Sequence, residues 1–220
     1  MIFFLKQFKA SQLKPKSYKL NAGMTYVEFI VVLGIFATLS SVVIFNYSIF
    51  QDKIDIKNFS SDIALKIIEA QKSALAGKLP LRSYLPDWKP SYGVFIDTQV
   101  DNQSLIYFTD LDQQGDYTHS SNSTDGCLVG NPECLEQIFL NKGNTISRLE
   151  VHYKDDSIGV LNDLTISFKR PNSAANINST GISLESTPNI SFVQITISSP
   201  RLETETALIK VYPFGKIEIK

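Results

Sequence analysis

Residues 23–45 read G-M-T-Y-V-E-F-I-V-V-L-G-I-F-A-T-L-S-S-V-V-I-F, and they dominate the interpretation of the chain. The 17 residues from Phe29 to Phe45 include no charged side chain and only three hydroxyl side chains. As an α-helix this run would rise about 26 Å, just short of the ~30 Å hydrocarbon core of a bilayer. The run is therefore at the lower limit of length for a membrane-spanning helix.

The residues before this run are basic, and the residues after it are acidic in sum. The whole chain has 21 basic and 22 acidic residues, and residues 1–23 hold five lysines and no acid. Residues 24–220 therefore have 16 basic against 22 acidic residues, a net charge of −6. The positive-inside rule predicts that the basic segment stays in the cytoplasm while the bulk of the chain lies outside.

Three ordinary explanations compete for the apolar run: a secretory signal peptide, an uncleaved signal anchor and a buried core helix. A signal peptide has a small-residue cleavage site after its apolar run. Here the run is followed by N-Y-S-I-F-Q-D-K, which offers no such site. The small residues Asn21-Ala22-Gly23 precede the run instead, so the order of features is the reverse of an ordinary signal peptide.

A carboxylate, Glu28, stands immediately before the apolar run. Charged groups in a membrane helix are costly and usually functional, so Glu28 is a candidate functional residue. It is equally well explained as the point where the apolar segment begins, beside the lipid headgroups. The residue type alone leaves both explanations open.

The pattern Gly23-Met24-Thr25-x-x-Glu28 followed by an apolar run resembles the cleavage and methylation motif of type IV pilins and pseudopilins. The resemblance implies that prepilin peptidase cuts between Gly23 and Met24 and methylates the new Met24 amine. Glu28 then becomes the fifth residue of the mature chain, where the family has its carboxylate. That carboxylate is implied to pair with the Met24 amine of a neighbouring subunit, since an α-amine is cationic at neutral pH.

The same resemblance implies where the protein resides and what it contacts. It implies a single-pass protein of the bacterial inner (cytoplasmic) membrane with its head outside the cytoplasm, which later joins an extracytoplasmic filament. The implied partners are prepilin peptidase, the inner membrane and other pilin subunits, contacted through the N-terminal helix. Many major pilins have a helix-breaking Pro in the membrane segment, and its absence between Met24 and Leu79 favours a minor pilin or pseudopilin.

Apolar residues continue at helical spacing after the membrane segment, which predicts an amphipathic extension of the same helix. The apolar positions are Ile56, Phe59, Ile63, Ile67, Ala70 and Ala74. Gly77 and then Pro80 are typical of a helix end. The predicted segments are a cleaved leader (1–23), a transmembrane and assembly helix (24–46), its amphipathic half (47–79) and a β-rich head (80–220).

Short alternating runs separated by polar turns predict an antiparallel sheet in the head. The predicted strands cover 91–97, 104–109, 135–140, 145–154, 163–169, 190–198, 206–212 and 215–219, with a polar surface loop at 171–189. The predicted fold is α+β and pilin-like, with the long helix packed against this sheet. The order of elements resembles the GspH/FimT-like branch of minor pseudopilins.

Two features of the head suggest local constraints. Cys127 and Cys134 are close enough in sequence to form a disulfide in an oxidising compartment, or else they are two free thiols. Asp110, Asp112 and Asp116, with Gly115 among them, resemble the start of a calcium loop.

Position twelve of that loop would be Ser121, where calcium loops have a glutamate. Asp125, Glu133 or Glu136 would have to fold back to complete a calcium site. The alternative is an acidic turn in solvent. No other cofactor is predicted.

No catalytic role is predicted. The two histidines, His119 and His152, have no metal-ligand spacing with the cysteines, and acyl-transfer and phosphate-loop motifs are absent. The predicted function is a filament subunit of a type IV pilus, competence or type II secretion apparatus. The alternatives are a pilus-tip module that binds DNA or a surface, and a plain membrane-anchored domain.

Nucleic acid is not a predicted partner, because the basic residues near the chain end are not concentrated in one stretch. Arg201, Lys210, Lys216 and Lys220 alternate with acids at Glu203, Glu205 and Glu218.

Overall fold

The structure is a computed structural model that describes residues 23–80, 87–118, 127, 131–180, 189–200 and 206–220. It forms two compact units, Met1–Phe45 and Asn46–Lys220. The predicted leader, apart from Gly23, lies outside the described residues. So do residues 181–188 of the predicted polar loop.

A single long helix, α1 (Tyr26–Leu75), spans 50 residues. Its later part carries the predicted buried stripe, because Ile56, Ile63, Ile67, Ala70 and Ala74 are all buried in the core. The remaining predicted position, Phe59, is only half-buried. The adjacent Ser60 is fully buried, and its hydroxyl is satisfied by donating to the carbonyl of Lys57 at 2.8 Å.

The helix ends where the sequence predicts, at a glycine with a left-handed backbone. Gly77 has φ of +69°, which a residue with a side chain adopts only with strain. The Lys78 amide donates to the carbonyl of Ser73 and the Gly77 amide to the carbonyl of Ala74, both at 3.1 Å. These two bonds form a Schellman motif, which satisfies carbonyls that the helix end would leave without donors.

Ten strands follow among the described residues. They are β1 (Ser91–Asp97), β2 (Asp101–Thr109), β3 (Cys134–Phe139), β4 (Thr145–Tyr153), β5 (Ile158–Leu161), β6 (Asp163–Lys169), β7 (Ala175–Asn178), β8 (Ile190–Ser198), β9 (Thr206–Val211) and β10 (Ile217–Ile219). All pairings are antiparallel. The α+β class with antiparallel sheet is thus confirmed.

The strands form two five-stranded sheets rather than the one sheet predicted. Sheet A has the order β3-β2-β1-β6-β7, and sheet B has the order β10-β9-β8-β4-β5. The eight predicted strands all occur, with ends shifted by a few residues, while β5 and β7 were not predicted. The prediction of a loop throughout 171–189 is wrong for β7, which pairs with β6 at the sheet edge, buries Ile177 and packs Ala175 against the core.

Both sheets and the later part of α1 share one hydrophobic core. Ile67 from α1, Val94 and Ile166 from sheet A, and Leu149 and Ile195 from sheet B are completely buried in it. The opposite face of sheet A carries a second, smaller cluster, which positions the acidic residues described below.

Candidate functional site

The predicted cleavage point lies in exposed, non-helical backbone. Residues 23–25 are exposed and precede the first residue of α1, Tyr26. A side chain placed on Gly23 would meet no other atom within 4 Å. A protease requires accessible, non-helical backbone at the bond it cuts, and the bond between Gly23 and Met24 meets that requirement.

Glu28 closes a capping box at the start of α1. Its Oε2 accepts hydrogen bonds from the Thr25 amide at 2.8 Å and from the Thr25 hydroxyl at 2.9 Å. In return the Glu28 amide donates to Thr25 Oγ1 at 3.2 Å. A Thr-x-x-Glu sequence before an apolar run is the signature of this motif, and the sequence interpretation missed it. Glu28 therefore has a role within its own chain, and its proposed intersubunit role stays a prediction.

The segment Tyr26–Ile44 is long and apolar enough to span a membrane. Its large side chains, among them Phe29, Phe36 and Val43, are exposed. The Thr38 hydroxyl donates to the carbonyl of Ile35 at 2.8 Å, which satisfies this polar group inside the helix. An exposed apolar surface of this size indicates contact with lipid or with another protein.

The predicted disulfide between Cys127 and Cys134 is present in the structure. The two Cα atoms are 5.5 Å apart, within the normal range for a disulfide. Both cysteines are partly buried and pack against the small cluster on sheet A, which includes Phe95, Phe108 and Tyr117.

Removing this disulfide is expected to destabilise the head. For the double variant Cys127→Ser, Cys134→Ser we expect the free energy of unfolding to fall by about 2–3 kcal/mol, because the bridge closes a short loop in the unfolded chain. Urea unfolding of the detergent-solubilised chain would measure the change. Dithiothreitol should lower the stability of the wild type to a similar extent and leave the variant unchanged. Equal midpoints for the oxidised wild type and the variant would contradict the expectation.

The first part of the β2–β3 connection, residues 110–118, packs on the face of sheet A that carries the smaller cluster. The Tyr117 ring centroid lies 5.3 Å from that of Phe95 and 5.4 Å from that of Phe108. Gly93 makes room for this packing, since a Cβ there would lie 2.7 Å from the Phe108 ring. The Ser167 hydroxyl also donates to the carbonyl of Gly115 at 2.9 Å. The turn at residues 110–116 is thus held against the sheet.

This packing brings three carboxylates together. Asp110 directly follows β2 and Glu133 directly precedes β3, and the Thr109 amide donates to the Glu133 carbonyl at 2.9 Å. One carboxylate oxygen from each of Asp110, Asp112 and Glu133 lies within 4.8 Å of the other two. We call these three side chains the acidic cluster. Asp110 is 0% exposed and Glu133 is 4% exposed, while Asp112 faces solvent.

The acidic cluster overlaps only in part with the residues predicted to bind calcium. Asp110 and Asp112 belong to it, whereas Asp116 is exposed and is not one of the three. Of the acids considered for completing the site, Glu133 joins the cluster. Glu136 instead forms an ion pair with Lys66 at 2.7 Å, and Asp125 lies outside the described residues.

Burial shifts the acid–base equilibria of the cluster. Removal from water, and then the adjacent Asp112 carboxyl, raises the pKa of Asp110 to about 6. Burial likewise raises the pKa of Glu133, although the amides of Thr118 and Leu111 donate to its two oxygens. None of the ion pairs between described residues involves a member of the cluster.

Two of the basic side chains near the end of the chain, Lys210 and Lys216, have local partners. Lys216 pairs with Glu218 at 2.5 Å, and the Lys210 ammonium lies 4.1 Å from the centroid of the Phe192 ring. Phe192 in turn stacks on His152, with 4.4 Å between ring centroids. Arg201 and His119 lie outside the described residues. The prediction that nucleic acid is not a partner stays a prediction.

Comparison with known proteins gives no relative for this chain. No protein-family model, curated protein or solved structure matches it. Two parts of the described chain carry distinctive chemistry: the segment from Gly23 to Glu28 before the apolar helix segment, and the acidic cluster.

Proposed function

We propose that this chain is a membrane-anchored filament subunit of the type IV pilin class, a minor pilin or pseudopilin that prepilin peptidase processes. The observation that carries the proposal is the exposed backbone at residues 23–25, followed directly by the apolar helix segment Tyr26–Ile44, whose side chains are exposed. A type IV pilus, competence or type II secretion apparatus would use such a subunit.

The apolar segment favours assembly as well as anchoring. Its exposed side chains have a large unfavourable free energy of contact with water. Lipid removes that contact while the chain resides in the inner membrane with its head outside. A subunit that leaves the bilayer needs a second apolar environment, and the same helix of neighbouring copies provides it. One surface thus serves the anchored and the assembled state.

Cleavage supplies the charge that assembly would use. Cutting the bond between Gly23 and Met24 creates a cationic amine at the start of an otherwise apolar segment. Among apolar helices that amine requires a countercharge, since an unpaired buried ion is strongly unfavourable. Glu28 is the sole acidic residue of the segment Tyr26–Ile44.

The test is mass spectrometry of the N-terminal peptide from protein isolated from its native membrane. We expect a chain that begins at Met24 and carries one methyl group on its amine. For the variant Gly23→Val we expect an uncleaved chain, because a branched side chain would occupy the cleavage position. Gly34→Val is the matched control, since Gly34 is also surrounded by open space, and it should be cleaved normally. A wild-type chain that still begins at Met1 would contradict the proposal and leave a plain membrane anchor.

A further inference from the structure

The geometry points to a divalent-cation site in the head, formed by Asp110, Asp112 and Glu133 and suited to calcium. This inference does not rest on the proposed filament function, because it depends only on residues of the unit Asn46–Lys220. Two independent observations carry it: the position of three carboxylates around one point, and a buried oxygen that lacks a partner.

The spacing of the three carboxylates suits one ion. Calcium binds oxygen ligands at about 2.3–2.6 Å, so two of its ligands lie at most about 4.6–5.2 Å apart. One oxygen from each of Asp110, Asp112 and Glu133 falls within 4.8 Å of the other two. The ligand type also fits, because calcium prefers carboxylate and carbonyl oxygens over nitrogen and sulfur.

The second observation is the Oδ1 atom of Asp110. It is buried and has no hydrogen-bond partner, while the same carboxylate's Oδ2 accepts from the Ser91 hydroxyl at 3.2 Å and the Gly115 amide at 3.0 Å. A buried carboxylate oxygen without a partner is rare in folded proteins. We take this oxygen as the ligand atom that Asp110 contributes, so that a bound cation would satisfy it and supply countercharge to Asp112 and Glu133.

The remaining oxygens of the cluster are held in place by neutral donors. Asp112 Oδ1 accepts from the Gln114 amide at 3.1 Å and its Oδ2 accepts from the Thr118 hydroxyl at 3.1 Å. Glu133 accepts from the amides of Leu111 at 3.0 Å and Thr118 at 2.9 Å. Such bonds orient metal-binding carboxylates without competing for their charge. The cluster has oriented ligands, up to three negative charges and only neutral donors in these bonds.

The fold gives the cation a structural task. Asp110 and Asp112 begin the connection between β2 and β3, and Glu133 ends it, next to the disulfide at Cys134. A bound ion would therefore tie the two ends of this connection together over sheet A. Cation binding should raise the thermal stability of the head.

Calcium titration of the full chain in detergent, followed by calorimetry and thermal unfolding, tests the site. We expect one calcium ion to bind per chain. Magnesium should bind more weakly, because it demands shorter bonds and a stricter geometry. At a calcium concentration about a hundredfold above Kd, Tm should rise by about 5–10 °C over its value in chelator. No binding heat and an unchanged Tm with either ion would overturn the inference, and would leave a cluster held by a shared proton and hydrogen bonds.

Asp112→Asn and Asp116→Asn form a matched pair, because both remove one exposed carboxylate from the same turn. Asp112→Asn should weaken calcium affinity by about tenfold or more, whereas Asp116→Asn should leave it unchanged. In chelator, Asp112→Asn should melt no lower than the wild type, since it removes repulsion among the carboxylates; this also shows that the variant is folded. Equal loss of affinity in the two variants would overturn the assignment of Asp112 as a ligand.

Discussion

Replacing Glu28 with alanine is expected to lower incorporation of the chain into sheared filaments by about tenfold or more, with membrane insertion unchanged. The apolar segment Tyr26–Ile44 stays intact in the variant, so anchoring does not depend on the carboxylate. Incorporation into the filament should depend on the carboxylate, because without it the Met24 amine of a neighbouring subunit would have no countercharge among apolar helices. Quantitative immunoblots of sheared filament and membrane fractions measure both quantities.

Loss of the capping box is a competing explanation for reduced incorporation of the Glu28 variants. A substitution at Thr25 separates this explanation from loss of the pairing with the amine. Thr25→Ala removes the hydroxyl that both accepts from and donates to Glu28 but keeps the carboxylate itself. We expect this variant to enter filaments nearly as well as the wild type. The two functions of the carboxylate are compatible, since none of the described hydrogen bonds of Glu28 ends on Oε1.

A charge control lies farther along the helix. Asp62→Asn removes an exposed acid from α1 outside the apolar segment and should leave incorporation unchanged. Glu28→Gln keeps the size of the side chain but removes its charge. Its incorporation into filaments should fall as much as that of Glu28→Ala. Normal incorporation of the Glu28 variants, or equal loss in Thr25→Ala, would refute the pairing of Glu28 with the amine.

Replacing Ile67 with alanine is expected to lower the free energy of unfolding of the head by about 2–5 kcal/mol. Ile67 is 0% exposed and lies in the core shared by α1 and both sheets. The truncation removes buried methyl and methylene groups and leaves a cavity that several elements line, so local collapse cannot fill it fully. Urea unfolding of the detergent-solubilised chain, monitored by fluorescence of the buried Trp88, measures the loss.

Leu65 provides the control for this experiment. It lies two residues earlier on the same helix but is 61% exposed, so Leu65→Ala removes a similar volume without opening a cavity. We expect it to change the unfolding free energy by no more than about 0.5 kcal/mol. Similar effects at both positions would contradict the placement of this helix face in the core.

Periodicity predicted the helix and most of the strands because burial imposes it locally. The spacing of Ile56, Ile63 and Ile67 marks one helix face, and Gly77 marks the end of the helix through its backbone conformation. The division into two sheets was not predictable in this way, since alternation shows which face of a strand is buried but not which strand it pairs with. The edge strand β7 was missed because its sequence, A-N-I-N, has only one large apolar side chain, and Ala and Asn have a low preference for strands.

The acidic cluster, too, could be predicted from the sequence only in part. Asp110 and Asp112 are close in sequence, so their proximity follows from the local turn. Glu133 joins them only because β2 pairs with β3 and returns the chain to the same place more than twenty residues later. The capping box, by contrast, follows from local sequence, because the spacing Thr25-x-x-Glu28 before an apolar run is its signature.

The position of the capping box has a consequence for maturation. Thr25 and Glu28 both follow the bond between Gly23 and Met24, so cutting that bond breaks none of the three hydrogen bonds between them. Under the proposed processing, maturation changes the electrical state of the helix terminus and leaves its conformation alone. Under the same proposal the precursor would already hold the helix start in its mature conformation, so that the rate of cleavage, rather than the rate of a folding step, would set the supply of assembly-competent subunits.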